Sequence, residues 1–168
     1  LVKYLRRSLE LTEKLSVSLQ DELDFVRTYI ELERGRVGEE FVATVTVEDG
    51  LDATRIMIPS MIVQIPVENA IKHGLAGKDG KKELSVYVSR ETNGIRITVT
   101  DNGRGYLPQV VSATRGTGTG LKVLYQTIQL LNTKNKSDKI RFDITNRSDG
   151  QTGTQVSVYI PFRFSYDL

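Results

Sequence analysis

The sequence predicts an α+β domain, a two-layer α/β sandwich with a mostly antiparallel mixed sheet and helices on one face. Three observations predict it. Apolar residues recur at helical spacing along stretches near 19–37, 59–74 and 121–132. Five other stretches alternate apolar and polar residues, as half-buried strands do. Each helical stretch carries a single apolar stripe, so each needs only one cover, and a sheet with one apolar face supplies it.

The elements follow in order. Leu1 to Leu11 reads as the tail of a helix, with Leu5 and Leu9 at i, i+4. Ser18-Leu19-Gln20-Asp21 resembles a capping box with Asp in place of Glu or Gln. The helix it opens carries Leu19, Leu23, Val26 and Ile30 on one stripe and runs to Val37-Gly38. Phe41 to Glu48 alternates as a strand and closes on the Asp49-Gly50 turn. Pro59 and Ser60 are expected to start a helix reaching Gly74, with Pro66 bending its early turns. Gly77 to Lys82 is a polar loop. Glu83–Arg90 and Ile95–Asp101 form a hairpin around Asn93-Gly94. Gly103 to Gly120 is rich in Gly and Thr without periodicity, and is expected to be a mobile loop. Leu121 to Asn132 is helical with Leu121, Leu124, Ile128 and Leu131 inward. Lys139–Arg147 and Thr154–Phe162 are the last strands, separated by Ser148-Asp149-Gly150.

Composition narrows the function classes. The chain has 168 residues, 39% hydrophobic and 26% charged, an ordinary balance for one domain with a real core. A net charge of +2 gives no reason to invoke nucleic acid or a membrane surface. Without cysteine there is no disulfide, thiolate nucleophile or cysteine zinc site, which fits a reducing compartment. One histidine, His73, excludes a multi-histidine metal site within the chain. No apolar run is long enough to span a bilayer. The chain opens on Leu1, inside a helical pattern and without an initiator Met, and reads as a piece of a longer protein.

The chemistry concentrates in four places. Wound as an α-helix, Glu68, Asn69, Lys72 and His73 fall within an arc of roughly 140°, with Val67, Ala70 and Ile71 behind them. A carboxylate, an amide, an ammonium and an imidazole on one face suit a magnesium-bound polyphosphate. A solvated face with a Glu68–Lys72 pair at i, i+4 is the competing reading. Asp101-Asn102-Gly103-Arg104-Gly105 follows a strand directly. Its carboxylate can accept from an exocyclic amine, and Gly103 and Gly105 allow backbone close to a flat ring; an ordinary turn also has this sequence. Gly116-Thr117-Gly118-Thr119-Gly120 precedes a helix and can cradle phosphates, or serve as a linker. It is no Walker A loop, because Leu121-Lys122 stands where Lys-Ser/Thr is required. Gly153-Thr154 opens the last strand with a hydroxyl beside a glycine.

Together and in this order, these segments resemble the nucleotide-binding (GHKL, or Bergerat) domain shared by gyrase, heat-shock-90 chaperones, histidine kinases and MutL. Glu68 to Gly74 is similar to its N box, Asp101 to Gly105 to its G1 box, Gly116 to Leu121 to its G2 box, and Gly153-Thr154 to its G3 position. Pro59 to Gly74 and Ser18 to Arg36 further resemble the signatures of LytS-like sensor histidine kinases, whose proline often sits where Ile65 stands here.

The resemblance implies ATP and Mg²⁺ as ligands. Asp101 would bond the adenine amine, with Gly103, Gly105 and Thr154 lining the base pocket. Asn69 would ligate Mg²⁺, and Lys72 and His73 would lie near the phosphates. Gly116, Gly118, Gly120 and Leu121 would belong to a lid. Glu68 and Lys72 would carry catalysis, Glu68 as the base that deprotonates or polarises the nucleophile. Residues 1–38 would link from a missing dimerisation and phosphoacceptor region, and 39–168 would form the catalytic domain. The acceptor histidine would lie upstream of Leu1, so His73 is not expected to be phosphorylated. The implied partners are the protein's own acceptor hairpin in a homodimer and a response regulator, without nucleic acid or membrane contact by this segment. The implied location is the cytoplasmic side of a bacterial membrane sensor. A gyrase-type ATPase and a nucleotide-binding pseudokinase are the alternatives.

Overall fold

The computed structural model describes residues 14–105 and 117–167. The expected helix over 1–11 and residues 106–116 of the expected loop lie outside them.

Ser16–Ser18 (β1) runs directly into the long helix Leu19–Val37 (α1). Ser18 caps α1 by accepting from the Asp21 amide at 3.0 Å, as its sequence signature requires. Gly38, with φ 115°, ends it. Leu19, Leu23, Val26 and Ile30 are all buried. Phe41–Val47 (β2) alternates as expected.

Met57–Pro59 (β3) pairs antiparallel with β1, a short ladder that periodicity does not reveal. It also overturns the expected start of the next helix, because Pro59 ends a strand. Residues 60–63 form a turn in which Met61 takes φ 69°. The helix proper is Gln64–Asn69 (α2), and it continues as a π-helical segment, Ala70–Leu75. Pro66 is the third residue of α2, in the first turn, where backbone amides have no intrahelical partner and a missing N–H costs nothing.

Lys82–Glu91 (β4) and Gly94–Asp101 (β5) pair as a hairpin in which Glu91 faces Gly94. The turn is therefore Thr92-Asn93, one residue earlier than expected. Gly94 belongs to the strand because any Cβ there would strike the Ile160 carbonyl and the Pro161 backbone. Thr117–Thr133 (α3) begins four residues before the expected Leu121. Gly120 lies 3.5 Å (from where a Cβ would stand) from Ile65 Cγ2 of α2, and this packing supports a first turn whose Gly and Thr content opposes helix. Leu124, Ile128 and Leu131 are buried and Leu121 is half-buried. Arg141–Asn146 (β6) and Thr154–Pro161 (β7) complete the chain.

The five-stranded sheet has order β2-β4-β5-β7-β6, with β2–β4 parallel and the other pairs antiparallel. One face is apolar: Leu84, Val86, Val88, Ile95, Ile97, Val99, Val156, Val158 and Ile160 join one core with residues of α1, α2, the π segment and α3. The other face carries Arg96, which bonds Glu91 at 2.6 Å and Ser157 at 2.7 Å. This is the two-layer mixed sandwich the sequence predicts. The pairing also sets Asp101 and Thr154 at one end of the sheet, next to the π segment.

Candidate functional site

Asp101, the last residue of β5, is 4% exposed. Its Oδ1 accepts the Gly103 amide at 2.8 Å, and the Thr154 amide also donates to the carboxylate. Burial pushes the carboxyl above its ordinary range, and the two amides and the Arg147 guanidinium oppose that rise. Arg147 also donates to the Asp101 carbonyl at 3.4 Å.

Backbone crowds this carboxylate. A Cβ on Gly74 would stand 3.1 Å from Asp101 Oδ1, and one on Gly103 would overlap the Gly74 carbonyl. Gly103 therefore closes the strand end against the π segment in a way no side chain permits. Gly105, at φ 93°, sits beside Asn146 Oδ1. Two amides use part of the four lone-pair positions of a carboxylate, so Asp101 retains acceptor capacity for a ligand amine.

The polar quartet sits on α2 and the π segment. The i→i+5 winding is visible in the Ala76 amide, which donates to the Ile71 carbonyl at 3.1 Å. It advances each residue by less than the α-helical 100°, so the expected arc is redrawn, not abolished. Glu68, Asn69 and His73 are half-buried and Lys72 is exposed. Glu68 Oε1 accepts from Gln64 Nε2 at 2.9 Å. His73 is held below its ordinary value, first by burial and then by the Lys72 and Arg104 charges, which favours a neutral imidazole at pH 7. Lys72 lines a cavity of about 340 Å³ with Arg36, Val37, Ile71 and Lys82, at the C-terminal end of α1.

Asn69 Nδ2 is buried and has no hydrogen-bond partner. No hydrogen bond to that nitrogen fixes which end of the amide faces the site. No group of three or more His, Cys, Asp or Glu suited to a metal occurs among the described residues. A single amide oxygen fits Mg²⁺ nonetheless, because that ion keeps its waters and takes most of its anionic ligands from phosphate.

Of the glycine run, Gly118 and Gly120 lie inside α3 instead of before it, Leu121 follows in the same helix, and Gly116 is outside the described residues. The first-turn amides of α3 have no intrahelical acceptor and can meet an anion.

Two residues escaped the sequence reading. Arg147 reaches Asp101 from across the sheet, which no local pattern reveals. Glu22 of α1 is fully buried and caps α2 from a distance: it accepts the amides of Met61 at 3.3 Å, Val63 at 2.9 Å and Gln64 at 3.1 Å. Burial pushes its carboxyl up, against the pull of those three amides. A signal existed, because Glu22 stands on the apolar stripe between Leu19 and Val26.

Known proteins are similar to this chain over most of its length. Residues 54–163 match the family described as "Histidine kinase-, DNA gyrase B-, and HSP90-like ATPase", and residues 1–41 match the family "Histidine kinase". The sensor histidine kinase YpdA of Escherichia coli (strain K12) is 28% identical over 161 residues, covering 96% of this chain and 27% of that protein. The sensor histidine kinase/phosphatase LytS of Staphylococcus aureus (strain MRSA252) is 30% identical over 166 residues, covering 95% of this chain and 27% of that protein. The chain thus spans about a quarter of the length of these curated relatives. Among solved structures, the histidine kinase domain of the Erythrobacter litoralis EL346 blue-light activated histidine kinase superposes with a TM-score of 0.64 at 20% identity, covering 96% of this chain and 72% of that one. Full-length ShkA, solved in complex with AMPPNP, gives a TM-score of 0.58 at 18% identity, covering 98% of this chain and 35% of that one.

Proposed function

The chain belongs to the histidine kinase-, DNA gyrase B- and HSP90-like ATPase family, and on that premise we propose that it is the ATP-binding catalytic domain of a two-component sensor histidine kinase. It binds ATP and delivers the γ-phosphoryl group to a histidine outside this chain. The observation that carries the reading is the buried Asp101 carboxylate at a strand end, seated against the glycine backbone of Gly74 in the segment that follows Glu68, Asn69 and His73. The match of residues 1–41 to histidine kinases favours this class over the gyrase and chaperone ATPases.

Asp101 accepts the adenine amine, and Gly103, Gly105 and Thr154 line the base pocket. Bound Mg²⁺, held by Asn69, would neutralise phosphate charge. Lys72 and His73 meet phosphate oxygens, His73 as a neutral hydrogen-bonding group. Gly118, Gly120 and Leu121 cover the phosphates from the first turns of α3, and Gly116, the first glycine of the run, acts with them. Glu68 takes the proton of the attacking imidazole, and the rest of catalysis is positioning.

Residues 1–38 lead in from the acceptor region, and 39–168 form the catalytic domain. The longer protein is a homodimer that passes its phosphoryl group to a response regulator. It is a bacterial membrane sensor with this segment in the cytoplasm; no described helix is long and apolar enough to cross a membrane. The test is to supply labelled ATP and Mg²⁺ to the longer protein and map acid-labile label. Phosphohistidine upstream of Leu1 is expected. Label on His73, or hydrolysis of ATP with no label on protein, would overturn the assignment.

A further inference from the structure

Glu68 projects from a helix of only six residues, which runs straight into a π-helical turn. So short an element cannot aim a side chain by its own stability. What aims Glu68 is visible in its neighbours. Gln64, one turn earlier, is 0% exposed, and its Nε2 donates to Glu68 Oε1 at 2.9 Å. Its backbone amide in turn donates to Glu22 Oε2 at 3.1 Å, and Glu22 is itself 0% exposed. The hydrogen-bonded route therefore runs from α1, through Glu22 and Gln64, to the Glu68 carboxylate. Tyr29, two turns beyond Glu22 on α1, lies within electrostatic reach of Glu33 and Glu68.

We propose that Gln64 is a positioning residue for phosphoryl transfer, holding one oxygen of Glu68 so that the carboxylate faces the attacking imidazole, while Glu22 fixes Gln64 from α1. This rests on the kinase reading above. In the step concerned, the lone pair of one ring nitrogen forms the N–P bond. The bond from the γ-phosphorus to the bridging oxygen breaks, and its electron pair leaves on ADP. The proton on the other ring nitrogen passes to Glu68. A carboxylate free to rotate would present its lone pairs to that proton for only part of the time, so the loss falls on the rate and not on ATP affinity. Gln64 touches neither ligand nor nucleophile and acts through Glu68.

The experiment is a double-mutant cycle in the longer protein that carries the acceptor histidine. Gln64→Met keeps length and volume but removes the donor. Glu68→Gln removes the base. Single-turnover phosphotransfer and calorimetric ATP affinity are measured for both variants and their combination. Gln64→Met should slow transfer about tenfold and leave the ATP Kd within about twofold. Glu68→Gln should slow it by at least about 100-fold. The double variant should be no slower than Glu68→Gln alone, because Gln64 then has nothing left to aim. Losses that multiply, or a Gln64→Met defect shared equally between rate and ATP affinity, would mark Gln64 as merely structural and overturn the proposal. A wild-type rate in Glu68→Gln would instead sink the role of Glu68 and the proposal with it. If Gln64→Met does not melt cooperatively, Gln64→Leu takes its place under the same criteria.

Discussion

The two ends of β5 use one device for different purposes. At each end a glycine lets a second backbone lie against the strand: Gly94 under Ile160-Pro161, and Gly103, just past the strand, under Gly74. At the Gly94 end the polar groups are paired with one another. Arg90 donates to the Gly50 carbonyl at 3.1 Å and lies over the Phe162 ring, and the Tyr166 hydroxyl donates to the Met57 carbonyl at 3.2 Å. The cavity of about 560 Å³ there is walled by groups already partnered. At the Gly103 end, burial has raised the Asp101 carboxyl, lowered the His73 imidazole and left the Asn69 amide nitrogen without a partner. Close backbone packing seals a sheet end. Polar groups buried without a full set of partners make one end a site.

The largest effect should separate the two ends outright. Asp101→Ala removes the charged acceptor for the adenine amine. A hydrogen bond to a charged group contributes about 1.5–3 kcal/mol, so ATP affinity should fall roughly 10- to 150-fold. Arg90→Ala, at the far end, should leave it unchanged. Calorimetry showing equal losses for both, or none for Asp101→Ala, would erase the distinction.

The glycines test the shared device. Gly94→Ala and Gly103→Ala each force a methyl group into backbone, and overpacking of this kind costs about 1–3 kcal/mol. Both should therefore lower the urea midpoint by a comparable amount. Only Gly103→Ala should also weaken ATP binding, because it displaces the Gly74 backbone from Asp101. If Gly94→Ala weakens binding equally, sheet integrity and not local geometry sets affinity.

What was legible in the sequence divides along the line between local and distant causes. The α1 cap, the alternation of β2 and β4–β7, and the sandwich itself follow from periodicity and turn residues, which are local. The placement of Asp101 at a strand end and of Glu68–His73 on a helical segment was legible because strand ends and helix faces are local too. The start of α2 was not. Its capping group, Glu22, is 41 residues from Val63 in sequence, while the nearby Ser60, which suggests a helix start, turns its hydroxyl to the Lys14 carbonyl instead. The π-helical winding of Ala70–Leu75 was equally hidden, because nothing in Ala-Ile-Lys-His-Gly-Leu distinguishes it from an α-helix. The first turn of α3 reads as a loop in isolation, and packing on Ile65 overrides that preference.

The smallest effect reduces the comparison to one proton. At the far end the group perturbed by burial is Tyr166, whose hydroxyl is pushed up and stays uncharged at physiological pH. Acid sensitivity near neutrality should therefore come from the site end, and His73 is its source. Its folded value lies below the ordinary 6.5, so the unfolded chain takes up the proton first as pH falls. By linkage, stability is level above about 6.5 and declines as pH drops from there through the folded value. Asp101 and Glu22, both raised by burial, act with the opposite sign: their contribution is lost as pH rises through their folded values. Comparing His73→Gln with wild type over the same interval cancels them. Between pH 7.5 and 5.5 the wild-type melting temperature should fall further than that of His73→Gln, by about 1–2 °C, since a half-buried imidazole is partly screened. Identical slopes would mean that Lys72, Arg104 and burial do not govern His73, and that the site end holds no proton of its own to distinguish it.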